Sequence, residues 1–417
     1  MRHDRSVHES HGPDVDIEDV LAARRIADLV ERTPSARSRT LSAITGAEVV
    51  VKFENLQFTG SFKDRGAANR LLALDKGQRR RGVVAASAGN HAQGVAYHAQ
   101  RLGIPATIVM PVTAPLTKVA NTAQLGATVV QHGATVSEAA SVVEGLLAEG
   151  LTLVHPYDDP LVVAGQGTVG LELLADHPDL DVVVVPVGGG GLCTGVALAA
   201  AGIAPRCRVL GVQTERYPHL VCELEGRPVP PQAPGTSLAD GIAVKAPGAI
   251  ALHQLPRLGV DLVTVPESRI EEAVGLLLEV EKTVAEGAGA VPLAALLEYP
   301  GRFGGLRVGL VLSGGNIDPR LLASVVLRSL VRQGRLTRMR VETDDLPGSL
   351  GRIATAVGDA GGNLVEVVHE RLLGGVPARR VDIDLLVETL DRAHLERVVQ
   401  ALRDLAHTVE ILDVGGR

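Results

Sequence analysis

The chain contains no tryptophan, and its four phenylalanines and four tyrosines leave aromatics at 2% of 417 residues. A core cannot then rest on large rings. Hydrophobic residues still make up 46%, so burial must come from Ala, Val and Leu, the make-up of helix-covered parallel sheets. Three cysteines, Cys193, Cys207 and Cys222, are too scattered for a Cys-x-x-Cys pair, and no histidine cluster has zinc-ligand spacing. A disulfide framework and a structural zinc are excluded, and a reducing compartment is implied. No basic block interrupts a formal net charge of -7, which leaves no footprint for nucleic acid or an anionic membrane surface. No run of about 18 apolar residues occurs, which excludes a spanning helix. Residues 1–14 carry Arg, His, Asp and Glu without an apolar stretch. They read as a loose tail and not a secretory signal, and the expected location is the cytoplasm.

What is present points to several domains, since 417 residues exceed one ordinary core. Asp16, with Asp19 three residues on, is a capping candidate for a helix whose apolar positions run from Ile17 to Val30 and stop before Pro34. From there β-branched runs alternate with helical spacing. Strands are expected at 49–53, 83–86, 107–110, 128–131, 151–155, 181–187, 208–212, 262–265 and 307–312. Helices are expected at 63–74, 91–101, 116–125, 136–148 and 192–201. This βα alternation implies parallel sheets with right-handed crossovers. A proline-rich segment at 227–235 reads as a surface loop. After residue 338 the rhythm changes to strand 339–342, helix 349–360, strands 364–370 and 380–387, helix 391–402 and strand 408–412. That βαββαβ order is the ferredoxin-like layout of a small appended domain.

Three motifs carry chemistry. Lys63 lies near a helix start in Ser61-Phe62-Lys63-Asp64-Arg65-Gly66-Ala67. A lysine whose pKa is lowered becomes a Schiff-base nucleophile, but a lone lysine here also reads as a solvated surface residue. The valine run 181–187 is followed by Gly188, Gly189, Gly190 and Gly191, then Leu192 and a helix. Glycines let backbone N–H groups turn inward at a helix N-terminus, which suits a phosphate. A tight packing turn is the plain alternative, and a dinucleotide site would want Gly-x-Gly-x-x-Gly with an acidic residue about 20 positions on. Ser313-Gly314-Gly315-Asn316 is the third motif. Asn90 and His91 in Ser87-Ala88-Gly89-Asn90-His91 can equally be helix caps. Asp64 and Arg65 read as an exposed or structural pair, and Cys193 as a small packed residue.

In chain order, the four stretches at 61–67, 87–94, 188–192 and 313–316 together resemble the fold type II pyridoxal-phosphate enzymes, most closely the threonine dehydratases (threonine ammonia-lyases), over about 17–331. The resemblance implies an α/β catalytic region at 15–333, with a small subdomain of about 55–155 inserted in a larger one, and pyridoxal 5′-phosphate as cofactor. Lys63 would hold the cofactor covalently and later take the substrate's Cα proton. Phe62 would flank the ring, Asn90 would bond its phenolic oxygen, and Gly188 to Leu192 would bind the phosphate. Ser87, Ala88, Gly89, Asn90 and His91 would hold the substrate carboxylate. Ser313 would place a neutral hydroxyl at the pyridine nitrogen, which weakens the electron sink and favours prompt loss of a β-leaving group. The implied reaction converts L-threonine to 2-oxobutanoate and ammonia, with L-serine as a second substrate. Other β-substituted amino acids, and a non-catalytic amino-acid-binding regulator, are the alternatives. Serine racemases, which resemble the chain at the same motifs, carry a serine where this chain has Ala88, so racemisation is not expected. Their cation-binding glutamate aligns with Gln213, near Glu215, and no metal is expected.

Residues 338–413 resemble one ACT domain, a regulatory amino-acid-binding module, through 341–350, with its Leu346-Pro347-Gly348 turn, and Gly361-Gly362-Asn363-Leu364. Gly348, Asn363 and Leu364 would contact an amino-acid effector, such as a branched-chain amino acid. A plain dimerisation module is the alternative, and a homo-oligomer, dimer or tetramer, is expected.

Overall fold

The computed structural model describes residues 14–134, 136–231, 237–370, 379–405 and 407–412. It divides into two compact units, one ending at Ile317 and the other starting at Asp318. Residues 1–13 of the expected tail, and 232–235 of the proline-rich segment, lie outside the described residues.

The first unit is built on two sheets. Strands β1 (Ser35–Ser38), β2 (Glu48–Phe53), β7 (Val182–Pro186), β8 (Arg208–Thr214), β9 (Asp261–Val265) and β10 (Arg307–Leu312) form the larger, in the order β1-β2-β10-β7-β8-β9. All pairs are parallel except β1 with β2. Strands β3 (Val83–Ala86), β4 (Ala106–Met110), β5 (Thr128–Gln131) and β6 (Thr152–Leu153) form the smaller, parallel throughout in the order β5-β4-β3-β6. Every residue of β7 is buried, which is why its valine run shows no alternation.

Between the sheets, helix Pro160–Asp176 packs against helix Lys63–Leu72 on one side and Gly191–Ile203 on the other. Glycines set the spacing. A Cβ at Gly165 would lie 2.7 Å from Arg65 O, and one at Gly195 would lie 2.5 Å from Val163 O. Asp159 starts the central helix by accepting from the N–H groups of Leu161 and Val162, with Pro160 in the first turn. This close packing is what aligns the Lys63 helix with the tetraglycine helix.

Two local expectations change. The N-terminal helix has its capping box, with Asp16 and Asp19 bonded reciprocally, but it ends at Ala22 and tightens into a 3₁₀ turn at Ala23–Ile26. Its buried residues, Val20, Ala23 and Ile26, recur every three positions, a spacing that suits the tighter turn. Asp64 and Arg65 are buried and do not pair with each other. Adjacent helix residues face different directions. Asp64 accepts from Thr59, while Arg65 pairs with Glu54 and Glu172.

The second unit holds β11 (Leu336–Asp344), β12 (Asn363–Glu370), β13 (Arg380–Glu388) and β14 (Thr408–Ile411) with helices Ser349–Asp359 and Arg392–Asp404. The antiparallel order β12-β13-β11-β14 is that of a ferredoxin-like βαββαβ sheet. Helix Pro319–Arg332 also falls in this unit and packs on β11, so the division lies before that helix and not at residue 333.

Candidate active site

Lys63 opens its helix, and its ammonium donates to Pro156 O at 2.7 Å while lying 5.1 Å from the centroid of the Phe62 ring. Burial takes the Lys63 amine down to about 8, although the Glu286 carboxylate pulls the other way. More of the amine is therefore neutral near pH 7 than for an exposed lysine, and the neutral form is the nucleophile.

Strand β10 delivers the third motif to this point. Ser61 and Gly314 form an antiparallel bridge. Phe62 N–H donates to Ser313 O at 3.0 Å, and Gly315 N–H to Gly60 O at 2.9 Å. Ser313 is buried, as is Ser61, whose Oγ has no hydrogen-bond partner. Asn316 Nδ2 donates both to Thr59 O at 2.7 Å and to Asn90 Oδ1 at 2.8 Å. Asn90 is the first residue of helix Asn90–Arg101, one position earlier than the spacing predicts. Its own Nδ2 donates to both oxygens of Glu286, at 2.8 and 3.0 Å.

The tetraglycine turn joins the same cluster through 155–158. Gly190 has φ +99°, a backbone region in which other residues are strained. A Cβ would lie 2.2 Å from the Tyr157 ring at Gly189, 2.2 Å from Ala251 Cβ at Gly190 and 2.5 Å from Tyr157 O at Gly191. Pro156, which accepts from Lys63, is thus next to the residue that covers the turn. The helix Gly191–Ile203 starts here, and the first N–H groups of a helix have no partner within it. Leu192 packs in the core below with Val185 and Val187, and Phe62 packs against that core. An amine of lowered pKa, a glycine cradle with no room for side chains and a helix N-terminus fit the aldehyde and phosphate of pyridoxal phosphate.

In the Ser87 to His91 turn, Gly89 N–H donates to Ser87 Oγ at 3.2 Å. His91 is buried, with Nε2 donating to Val154 O at 2.8 Å, and desolvation lowers it to about 3, so it is neutral. Burial pushes the Cys193 thiol up to about 12, which makes it inert. Gln213 accepts from Val221 N–H at 3.0 Å. Among the described residues, no cluster of three His, Cys, Asp or Glu is placed to hold a metal ion. Gly348 (φ +86°) caps helix Ser349–Asp359, Asn363 Nδ2 donates to Glu388 Oε2 at 3.0 Å, and Leu364 packs on the core of the second unit.

The sequence reading missed Glu286 and Tyr157. The visible signal for Glu286 is a lone carboxylate in the small-residue run Ala285-Glu286-Gly287-Ala288-Gly289-Ala290. Gly289 packs so closely that a Cβ there would lie 2.4 Å from Gly314 O.

Residues 26–314 match the family model described as pyridoxal-phosphate dependent enzyme. The chain belongs to this family. A relative named L-threonine ammonia-lyase, from Thermotoga maritima, is 44% identical, and the match covers 95% of this chain and 100% of the relative. Among solved structures, a threonine deaminase from T.th. is 44% identical at a TM-score of 0.68, covering 73% of this chain and 99% of that one. Maize serine racemase is 35% identical at a TM-score of 0.70, covering 76% and 98%. The family's cofactor is pyridoxal phosphate, and the chain has the α/β architecture of these enzymes with an additional antiparallel unit.

Proposed function

We propose that the chain is an ammonia-lyase converting L-threonine to 2-oxobutanoate and ammonia, with L-serine to pyruvate as a slower reaction. The carrying observation is the junction of Lys63 with the tetraglycine turn through Pro156 and Tyr157. When bound, pyridoxal phosphate supplies an aldehyde for covalent attachment and a conjugated ring that stabilises negative charge at the substrate Cα. The protein's own groups do the rest. Lys63, desolvated and partly neutral, would hold the cofactor's aldehyde carbon and would be the base that receives the substrate's Cα proton on its nitrogen. The N–H groups of Gly188 to Leu192 would hold the phosphate, Phe62, whose ring lies by the Lys63 nitrogen, would flank the cofactor ring, and Asn90, bonded to Glu286 and Asn316, would orient the ring oxygen. Ser313 presents a neutral hydroxyl, which does not hold a proton on the ring nitrogen as a carboxylate would. That favours expulsion of the β-hydroxyl. The turn from Ser87 through Ala88 and Gly89 to His91 offers backbone N–H groups to the substrate carboxylate.

The purified protein should show a visible cofactor band and form 2-oxobutanoate from threonine, and Lys63→Ala should lose both. Retention of either in that variant overturns the assignment. A panel of β-substituted amino acids then ranks the substrates.

We further propose that the second unit is an ACT-type module in which Gly348, Asn363 and Leu364 contact a branched-chain amino acid. The match to the Thermotoga relative along its whole length supports a shared architecture. Isoleucine and valine should shift the threonine saturation curve, and no shift up to millimolar concentration removes the effector. The same reading makes the protein a cytoplasmic homo-oligomer, dimer or tetramer, which light scattering measures directly.

A further inference from the structure

Glu286 is a buried carboxylate that the chemistry above leaves unused. It is 4% exposed and precedes helix Gly287–Glu298. Its N–H donates to Gly314 O at 3.0 Å, and a Cβ at Gly314 would lie 2.5 Å from its Oε1. It is therefore held from the Ser313 side and bonded from the Asn90 side.

The bonds have a direction. An asparagine amide can be turned end for end unless its partners differ in kind. Here they do differ. Asn316 Nδ2 donates to Thr59 O and to Asn90 Oδ1, and an ionised carboxylate can only accept from Asn90 Nδ2. The relay from Thr59 through Asn316 and Asn90 to Glu286 thus leaves Asn90 a single orientation. The charged groups facing Glu286 are Lys63 and Lys118, which favour its ionised form, and Asp240, which opposes it. Burial raises Glu286 to about 7, so its charge is sensitive to pH in the neutral range.

We propose that Glu286 is a positioning residue for the Lys63 centre: it locks the Asn90 amide and supplies the negative charge against which the Lys63 nitrogen holds a proton. The proposal rests on the reading of Lys63 as the cofactor-bearing lysine, which Lys63→Ala tests separately through loss of the visible band. The test for Glu286 follows the amine itself. Cofactor-free protein is mixed with pyridoxal phosphate, and the rate at which the visible band appears is measured against pH. In Glu286→Gln the midpoint of that profile should fall by about one unit, because removing a nearby anion disfavours a protonated amine. Glu286→Asp should keep the midpoint within about 0.3 units, since the charge remains. In the holoenzyme, Glu286→Gln should lower kcat on threonine by about tenfold with KM within about threefold. Added to Asn90→Ala, it should lower kcat by less than about a further twofold, because the two residues act as a unit.

A merely structural carboxylate would change thermal stability and cofactor occupancy and leave the midpoint in place. An unmoved midpoint in Glu286→Gln, or full additivity with Asn90→Ala, overturns the proposal. Should Glu286→Gln fail to fold, Asn316→Ala opens the relay at its other end. It should lower kcat by about fivefold to tenfold while leaving the midpoint unchanged, and wild-type kcat in that variant overturns the relay.

Discussion

Replacing Arg65 by methionine should destabilise the first unit while leaving the visible cofactor band obtainable at low temperature. Arg65 lies two residues beyond Lys63 and is fully buried. Its Nε and Nη2 donate to Glu54 at 2.7 and 2.8 Å, and its Nη1 and Nη2 to Glu172 at 2.7 and 2.8 Å. Lys52 completes the cluster, 2.6 Å from Glu172, so two cations balance two anions. Burial alone would raise the Glu54 carboxyl, but the charge and hydrogen bonds of Arg65, together with the Lys52 charge and the Thr33 hydrogen bond, outweigh it and hold Glu54 below its ordinary range. Removing the guanidinium leaves a net negative charge, and Glu54, which is fully buried, has no water to solvate its share of it. Such a loss costs about 3–5 kcal/mol, which for a unit of this size lowers Tm by roughly 5–10 °C. Thermal melts of the cofactor-free protein at pH 7.5, followed by circular dichroism, read this directly. Adding Glu54→Gln to the same variant removes the uncompensated charge and should restore about 2 kcal/mol. A single variant melting within about 1 °C of the parent, or a double variant showing the sum of both losses, refutes the argument.

Gly189→Ala places a Cβ against the Tyr157 ring and should weaken cofactor binding by at least about tenfold. Gly145→Ala, in open space on helix Val136–Ala148, should not; absorbance titration compares them. Lys63 titrates near 8 in the folded protein against an ordinary 10.5. The unfolded chain therefore binds more protons in that interval, and the stability of cofactor-free protein should rise as pH goes from 8 to 10.5. Denaturant melts across that range should lose this rise in Lys63→Met. Cys193, Cys207 and Cys222 are all buried, and burial pushes Cys193 to about 12 and Cys207 to about 11. A thiol reagent at pH 8 should label the native protein slowly and all three cysteines after denaturation.

Much of the fold was readable from local pattern. The strands at 83–86, 128–131 and 307–312 have the predicted limits, because short β-branched runs between turn residues leave little choice. The βαββαβ order was readable too, from two helical spacings interleaved with strands. The N-terminal helix was not. Leu29 and Val30 continue an apolar pattern, yet the chain leaves the helix before them, since burial of every third residue favours a tighter turn. Arg65 was misread because its partners, Glu54 and Glu172, come from elsewhere in the chain.

The same division runs through the site. Residue order by itself determined the glycine turn, the helix behind it, a lysine at a helix start and the neutral serine of the third motif, because each depends on neighbours in the chain. Only the tertiary structure decided that the Lys63 amine is desolvated, that Tyr157 covers Gly189, and that Asn90 turns its nitrogen toward Glu286. A pKa and an amide orientation are set by which groups lose water together, and those groups come from segments at 59–63, 90, 156–157, 286 and 313–316 that meet only when the sheets close.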